Sequence, residues 1–363
     1  MKVSPLVKTL LVGGIAALAL TSCAANEGGS GEASDSQLSG ALTGSGASSQ
    51  GSAQEAWGAA FQTANPDVTV NYDPTGSGAG RETFQQGANA FAGSDRAFEL
   101  EEIEAGPFDA CAADSGLVEF PAYISPIALI FNVEGVDSLQ LDAPTVAKIF
   151  SGEITNWNDP AIADQNADAT LPDQTISAVH RSDESGTTGN FTDYLAEAAP
   201  DDWTEGSIES WPSAFGGEGA QGTSGVVEAV SNGVGTIGYA DASRAGDLST
   251  VEIKVGDEYV AYTPEAAAAV VDASEFAEGR TEHDLAIELD RTSTEDGVYP
   301  IVLVSYLIGC EQYEDPANAE LTQAYFDYIV SDQGQQDAAE AAGSAPISDT
   351  LRESIQPAID AIS

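Results

Sequence analysis

From about residue 38 onward the apolar positions fall into strand and helix rhythms. Leu38 to Thr43 reads as a strand, and Ala53, Ala56, Trp57, Ala60 and Phe61 then recur on one helical face. After the Asn65-Pro66-Asp67 turn, Val68, Val70 and Tyr72 alternate as a second strand. Phe84, Ala88 and Phe91 place a helix behind Thr75-Gly76-Ser77-Gly78-Ala79-Gly80. Thr175 to Val179 is a short β-branched strand, and Phe191, Tyr194, Leu195 and Ala198 predict a helix beginning near Ser185. Further helices are expected over Pro144–Phe150, after Gly216–Gly225, around Leu321–Ile329 and over Leu351–Ile362, with a short strand at Thr236–Tyr239.

Two long apolar runs, Ala122–Val133 and Tyr299–Ile308, have the length of buried strands. They read as two crossovers that join a split domain to an inserted one. Residues 38–123 and 300–363 would form domain I, and residues 124–299 domain II. The alternative is two strands of one large domain. The unit of strand, Gly/Ser loop and helix occurs twice before residue 95 and again at Ser185. In open α/β sheets ligands sit beyond the carboxyl ends of strands, so three such loops point to one shared site.

The net charge of -48 makes nucleic acid and anionic membrane surfaces poor partners. The N-terminus reads as a signal peptide over residues 1–22, with Lys2 and Lys8 ahead of the apolar Leu10–Leu20. It ends in Leu20-Thr21-Ser22-Cys23, which resembles a bacterial lipobox and would make Cys23 a lipid anchor. The Gly/Ser/Glu-rich stretch from there to residue 37 would be a flexible tether. In an exported chain the remaining Cys111 and Cys310 are expected to form one disulfide; two buried thiols are the alternative. With two histidines, His180 and His283, and no Cys-x-x-Cys, no metal site is expected, and both histidines are read as packed or surface residues. There is no G-x-x-x-x-G-K-[ST], no G-x-S-x-G and no H-E-x-x-H, so neither a nucleotide cradle nor a hydrolase is indicated.

The chemistry concentrates in His180-Arg181-Ser182-Asp183-Glu184-Ser185-Gly186-Thr187-Thr188. A Ser-Gly-Thr-Thr loop at a helix start offers backbone N–H groups, hydroxyls and the positive end of the helix dipole to an anion. Arg181 adds a planar fork suited to a tetrahedral oxyanion, and Asp183 is placed to hold that fork. The same residues also fit an ordinary capped helix with a surface arginine.

Taken together with Thr43-Gly44-Ser45-Gly46-Ala47-Ser48, Gly76-Ser77-Gly78, Gly93-Ser94-Asp95, Phe150–Trp157, Trp211-Pro212 and Gly235–Tyr239, this segment resembles the phosphate-binding lipoprotein family of Pst-type ABC transporters (PstS). The resemblance covers nearly everything after residue 37. It implies an α/β, two-domain periplasmic-binding-protein-like (type II) fold with two hinge crossovers and a ligand cleft between the domains. It further implies a non-catalytic receptor without cofactor, lipid-anchored on the outer face of the cell membrane and monomeric. Such a receptor delivers inorganic phosphate to permease subunits served by a cytoplasmic ATPase. Carried over, Ser48, Ser77, Ser185, Gly186 and Thr187 would donate to phosphate, Ser49 through its backbone. Arg181 would bind in two-pronged fashion braced by Asp183, and Asp95 would accept the ligand's proton. The family often has an aromatic where Ser49 stands, and Arg96-Ala97-Phe98 departs from its pattern; Arg96 is read as an exposed side chain near the cleft mouth. Asp95 separates this reading from a receptor for sulfate or molybdate, because a fully ionised anion has no proton to give a buried carboxylate. A non-transport surface lipoprotein would show no saturable anion binding.

Overall fold

In the computed structural model, residues 38–295 and 297–363 are described. The signal peptide, Cys23 and the tether expected over residues 1–37 lie outside them. In chain order, β1 (Gly40–Gly46), α1 (Gly51–Ala64), β2 (Val68–Asp73), α2 (Ser77–Gln85), β3 (Phe91–Ser94) and α3 (Leu100–Ala105) lead into β4 (Leu117–Asn132). There follow β5 (Ser138–Leu141), α4 (Ala143–Phe150), α5 (Pro160–Ala163), β6 (Ser177–Arg181), α6 (Gly186–Ala198), β7 (Glu218–Ala220) and α7 (Gly222–Asn232). Next come β8 (Thr236–Asp241), β9 (Ser249–Val255), β10 (Glu258–Val260), α8 (Pro264–Ala273), β11 (Glu275–Phe276) and β12 (Ile287–Glu288). The chain closes with β13 (Val302–Cys310), α9 (Pro316–Val330), α10 (Asp332–Ala342) and α11 (Asp349–Asp360).

β4 is the spine. It is 16 residues long and buried at every position but the last, as its apolar composition dictates. Its first half, Leu117–Pro126, pairs antiparallel with β13; its second, Ile127–Asn132, pairs antiparallel with β8. Pro126 stands where the partner changes, and Pro121 stands at a register shift opposite Ser305/Tyr306. Those are the places a central strand tolerates a residue with no N–H to give. The sheet order β2-β1-β3-β13-β4-β8-β6-β7 therefore joins two groups of strands through one shared element. β1, β2 and β3 are mutually parallel on one side, and β6, β7 and β8 on the other. The second long run, Tyr299–Ile308, crosses only at its start, ahead of β13. β13 stays beside the first half of β4, and the return crossing lies just before it, where Ile127 N–H donates to Ile301 C=O at 2.7 Å.

Several boundaries differ from the sequence reading. β1 continues through Gly44–Gly46 because β2 and β3 flank it on both sides, with Gly44 opposite both Tyr72 and Phe91. A Cβ on Gly44 would lie 2.2 Å from the Phe91 ring, so glycine is what lets that ring close over the strand. α2 ends at Gln85 rather than reaching Phe91; Gly87 turns the chain with φ +67°, and Phe91 enters β3 instead. β6 is shifted forward to Ser177–Arg181, which makes Arg181 the last residue of a strand. α10 has no apolar periodicity that would announce it; it packs through Gly334, Gln335, Ala338 and Ala342. Cys111 and Cys310 form a disulfide with Cα atoms 5.3 Å apart, tying the end of β13 to the segment before β4.

Candidate anion-binding site

Asp95 follows β3 and is almost wholly buried. Three hydroxyls from three distant segments donate to it. Ser49 Oγ and Ser305 Oγ each reach Oδ1 at 2.6 Å, and Thr187 Oγ1 reaches Oδ2 at 3.0 Å. Its main chain is held as well: Asp95 N–H donates to Ser77 Oγ at 3.2 Å, and Asn190 Nδ2 donates to its carbonyl at 2.7 Å. Burial pushes the carboxyl pKa up, against the opposing pull of the three hydroxyls and the Arg181 charge. Gly186 stands directly against this residue. A Cβ there would lie 2.6 Å from Asp95 Cβ and 2.7 Å from Ser77 Oγ.

Arg181 is equally buried. Its Nε donates to Asp183 Oδ1 at 2.8 Å and its terminal NH2 donates to Asp183 Oδ2, so the brace read from spacing is present as a two-pronged pair. Burial would raise the Asp183 pKa, but the Arg181 bonds and charge, with the Gly222 N–H at 3.0 Å, hold it below the usual carboxylate range. Arg181 N–H donates to Tyr239 Oη at 3.2 Å, and that hydroxyl pairs with Thr188 Oγ1 at 2.7 Å. Ser185 caps α6 by accepting from Thr188 N–H at 3.3 Å. Gly186 and Thr187 thus hold the first two helical positions, where N–H groups fall outside the helical ladder. Ser48 is set slightly apart: its Oγ pairs with Thr223 Oγ1 at 3.0 Å and accepts from Thr223 N–H at 3.1 Å.

Ser49, Ser77, Asp95, Arg181, Ser185, Gly186 and Thr187 therefore gather in one place, drawn from both sides of the β4 spine, with Ser48 next to them against Thr223. Sequence reasoning placed Thr188 in the Ser-Gly-Thr-Thr loop but missed Ser305, Asn190, Thr223 and Tyr239 as site residues. Only Ser305 carried a signal, as a hydroxyl interrupting the apolar run Ile301–Ile308. It also missed a set of ion pairs across the groove. Buried Arg81 donates from NH1 and NH2 to Glu209, at 3.2 and 2.5 Å, while Arg96 Nε donates to the same carboxylate at 2.9 Å. Arg96 is thus not the free exposed cation expected of it: Glu102 holds its guanidinium too, at 2.6 Å. His180 stacks on Trp211 with ring centroids 5.0 Å apart, and His283 pairs with Glu311 at 2.7 Å. Beside Asp95, Gly186 and Asn190 opens a cavity of about 780 Å³. Among the described residues no group of three or more His, Cys, Asp or Glu side chains is arranged to hold a metal ion.

The arrangement can hold a small tetrahedral anion: a buried guanidinium locked in orientation, a helix N-terminus, hydroxyls, and a carboxylate that can only accept. The PBP superfamily domain model matches residues 31–333. Phosphate-binding protein PstS 3 of Mycobacterium tuberculosis (strain H37Rv) is 34% identical over 327 residues, covering 88% of this chain and 86% of that protein. PstS 3 of Mycobacterium leprae is 35% identical over 335 residues, with the same coverage of 88% and 86%. Among solved structures, a high-affinity periplasmic phosphate-binding protein (PfluDING) bound with phosphate superposes with a TM-score of 0.69 at 19% identity, covering 87% of this chain and 93% of that one. A phosphate ABC transporter substrate-binding protein from Clostridium perfringens gives 0.58 at 23% identity, covering 84% and 98%. The α/β, two-domain binding-protein fold is common to them. By its match to the superfamily model and its identity to these relatives over most of its length, the chain belongs to the PBP superfamily and, within it, to the PstS family of phosphate-binding proteins.

Proposed function

We propose that this protein is an extracytoplasmic receptor that captures inorganic phosphate between two domains and delivers it to an ABC permease for import. The observation that carries the reading is the Asp95 carboxylate, buried and ringed by donors beside the braced Arg181 guanidinium. Phosphate near neutral pH still carries a proton and can donate it to Asp95; sulfate has none. Facing a buried carboxylate with an unprotonated oxygen costs on the order of 3–5 kcal/mol, a preference of roughly 10²–10³-fold. Arg181, Ser48, Ser77, Ser185, Gly186 and Thr187 supply the positive charge and donors, with the Ser49 backbone. The domains are residues 38–123 with 300–363 and residues 124–299. They close on the ligand by bending at the two crossings beside Pro126 and Ile301, because only the closed form brings both sets of donors to one anion. Cys23 carries the lipid that keeps the monomeric receptor at the outer face of the membrane, near its permease.

Calorimetric titration of the purified, ligand-stripped protein with phosphate and then sulfate tests this reading. One-to-one phosphate binding without sulfate heat is expected. Sulfate binding alone would overturn the ligand, and no heat with either anion would overturn the receptor.

A further inference from the structure

Behind Asp95, away from the cavity, runs a file of buried polar side chains that ends on its carboxylate. Tyr325 Oη donates to Gln54 Oε1 at 2.9 Å, and Gln54 Nε2 donates to Gln50 Oε1 at 2.9 Å. Gln50 Nε2 donates to Ser305 Oγ at 2.7 Å, and Ser305 Oγ donates to Asp95 Oδ1 at 2.6 Å. None of the four side chains behind Asp95 is more than 3% exposed. The file has a forced direction. Gln50 Nε2 also donates to the Tyr306 carbonyl at 2.9 Å, and a carbonyl can only accept. That contact fixes which end of the Gln50 amide faces Ser305. The Ser305 oxygen is then occupied by an incoming N–H, and its single proton has Asp95 Oδ1 to go to. The register shift between β13 and β4 falls at this point, and the extra residue it leaves on β4, Ala122, has its carbonyl taken by Gln335 Nε2 at 3.0 Å. Irregularities of this kind re-aim a side chain beside a functional site.

Two hydroxyls thus converge on Oδ1, from Ser49 and Ser305, and one on Oδ2, from Thr187. We propose that Gln50 and Ser305 are a specificity-determining pair: they saturate Oδ1 with donors, hold Asp95 as an obligate acceptor, and leave Oδ2 to take the proton of the bound anion. The inference rests on Asp95 facing the ligand's proton. The ionisable groups turned toward Asp95 are Arg181 from β6 and Tyr72 from β2, whose hydroxyl is engaged at Ala47 C=O, 3.0 Å. Without the Ser305 donor a proton on Asp95 becomes cheaper, and a protonated Asp95 can donate to a fully ionised anion.

The test is calorimetric titration with phosphate and with sulfate between about pH 6 and pH 8, on wild type and on Ser305→Ala, Ser305→Thr, Gln50→Met and Tyr325→Phe. Loss of one hydrogen bond to a charged group corresponds to roughly tenfold to a hundredfold. Ser305→Ala and Gln50→Met are each expected to lower the phosphate-over-sulfate ratio by at least about tenfold, with sulfate gaining most at the acid end. Ser305→Thr keeps the hydroxyl and the ratio. Tyr325→Phe leaves the Tyr306 carbonyl to orient Gln50, so the melting temperature falls and the ratio stays within about twofold. An unchanged ratio in Ser305→Ala, or an equal fall in Tyr325→Phe, overturns the proposal. Wild type failing to bind phosphate would instead overturn the receptor reading beneath it.

Discussion

Replacing Gly186 by alanine separates ligand capture from folding. The added Cβ would lie 2.6 Å from Asp95 Cβ, 2.7 Å from Ser77 Oγ and 3.1 Å from Asp95 Cα. Non-bonded carbons rest at about 3.5–4.0 Å, so the two sides must part by about 1 Å. That separation carries two bonds out of range: Thr187 Oγ1 to Asp95 Oδ2, now 3.0 Å, and Asn190 Nδ2 to the Asp95 carbonyl, now 2.7 Å. The first, to a charged group, is worth about 1.5–3 kcal/mol and the second about 0.5–1.5. Their loss weakens phosphate binding by about 2–4.5 kcal/mol, on the order of 30- to 2000-fold. An open cleft feels none of this, and alanine suits a helix better than glycine. Thermal melting without phosphate should therefore be unchanged or slightly higher, while the stabilisation by phosphate shrinks with affinity. Calorimetry together with melting curves decides it. A Gly186→Ala protein that binds phosphate within about threefold of wild type would refute the closed geometry as the capture state.

Glu209→Gln removes the carboxylate shared by Arg81 and Arg96 across the groove, and should weaken phosphate binding about tenfold to a hundredfold by disfavouring closure; retained affinity at low and high salt alike would count against the latch. Asp241 is fully buried, accepts from Tyr123 Oη at 3.1 Å, and burial pushes its pKa from 3.8 up to about 6. Its folded-state pKa is raised, so its contribution is complete below about pH 4 and is lost as pH rises through 6. The difference in urea stability between Asp241→Asn and wild type should therefore move toward the variant by up to about 3 kcal/mol from pH 4 to 7, and a flat difference would contradict the shift. The Cys111→Ser/Cys310→Ser double variant opens a loop closed over a sequence separation of 199, and should lower unfolding stability by up to about 5 kcal/mol with phosphate affinity unchanged, since neither position is among the residues that meet Asp95 or Arg181.

What the chain determined by itself was local. The β-branched and apolar runs set β4 and β13, because strands buried on both faces are built mostly of apolar residues, with a polar one such as Ser305 kept only where it finds partners. The Ser185–Thr188 segment announced a helix start, because its cap and its unpaired N–H groups are properties of a few adjacent residues. Arg181 and Asp183 lie two apart, so their pairing was legible too. Tertiary structure decided what depends on distance along the chain. Gly44–Gly46 became strand only because two neighbours pair with it. Phe91 left its helical rhythm because β1 offered it a partner. Glu209 was one of 59 acidic side chains until the fold set it between Arg81 and Arg96. Ser305 joined Asp95 across a sequence separation of 210, and its direction of donation follows from Gln50 and the Tyr306 carbonyl. A hydroxyl's partner is chosen by three-dimensional proximity and by which neighbouring groups can only accept, and neither is written in the spacing of a sequence.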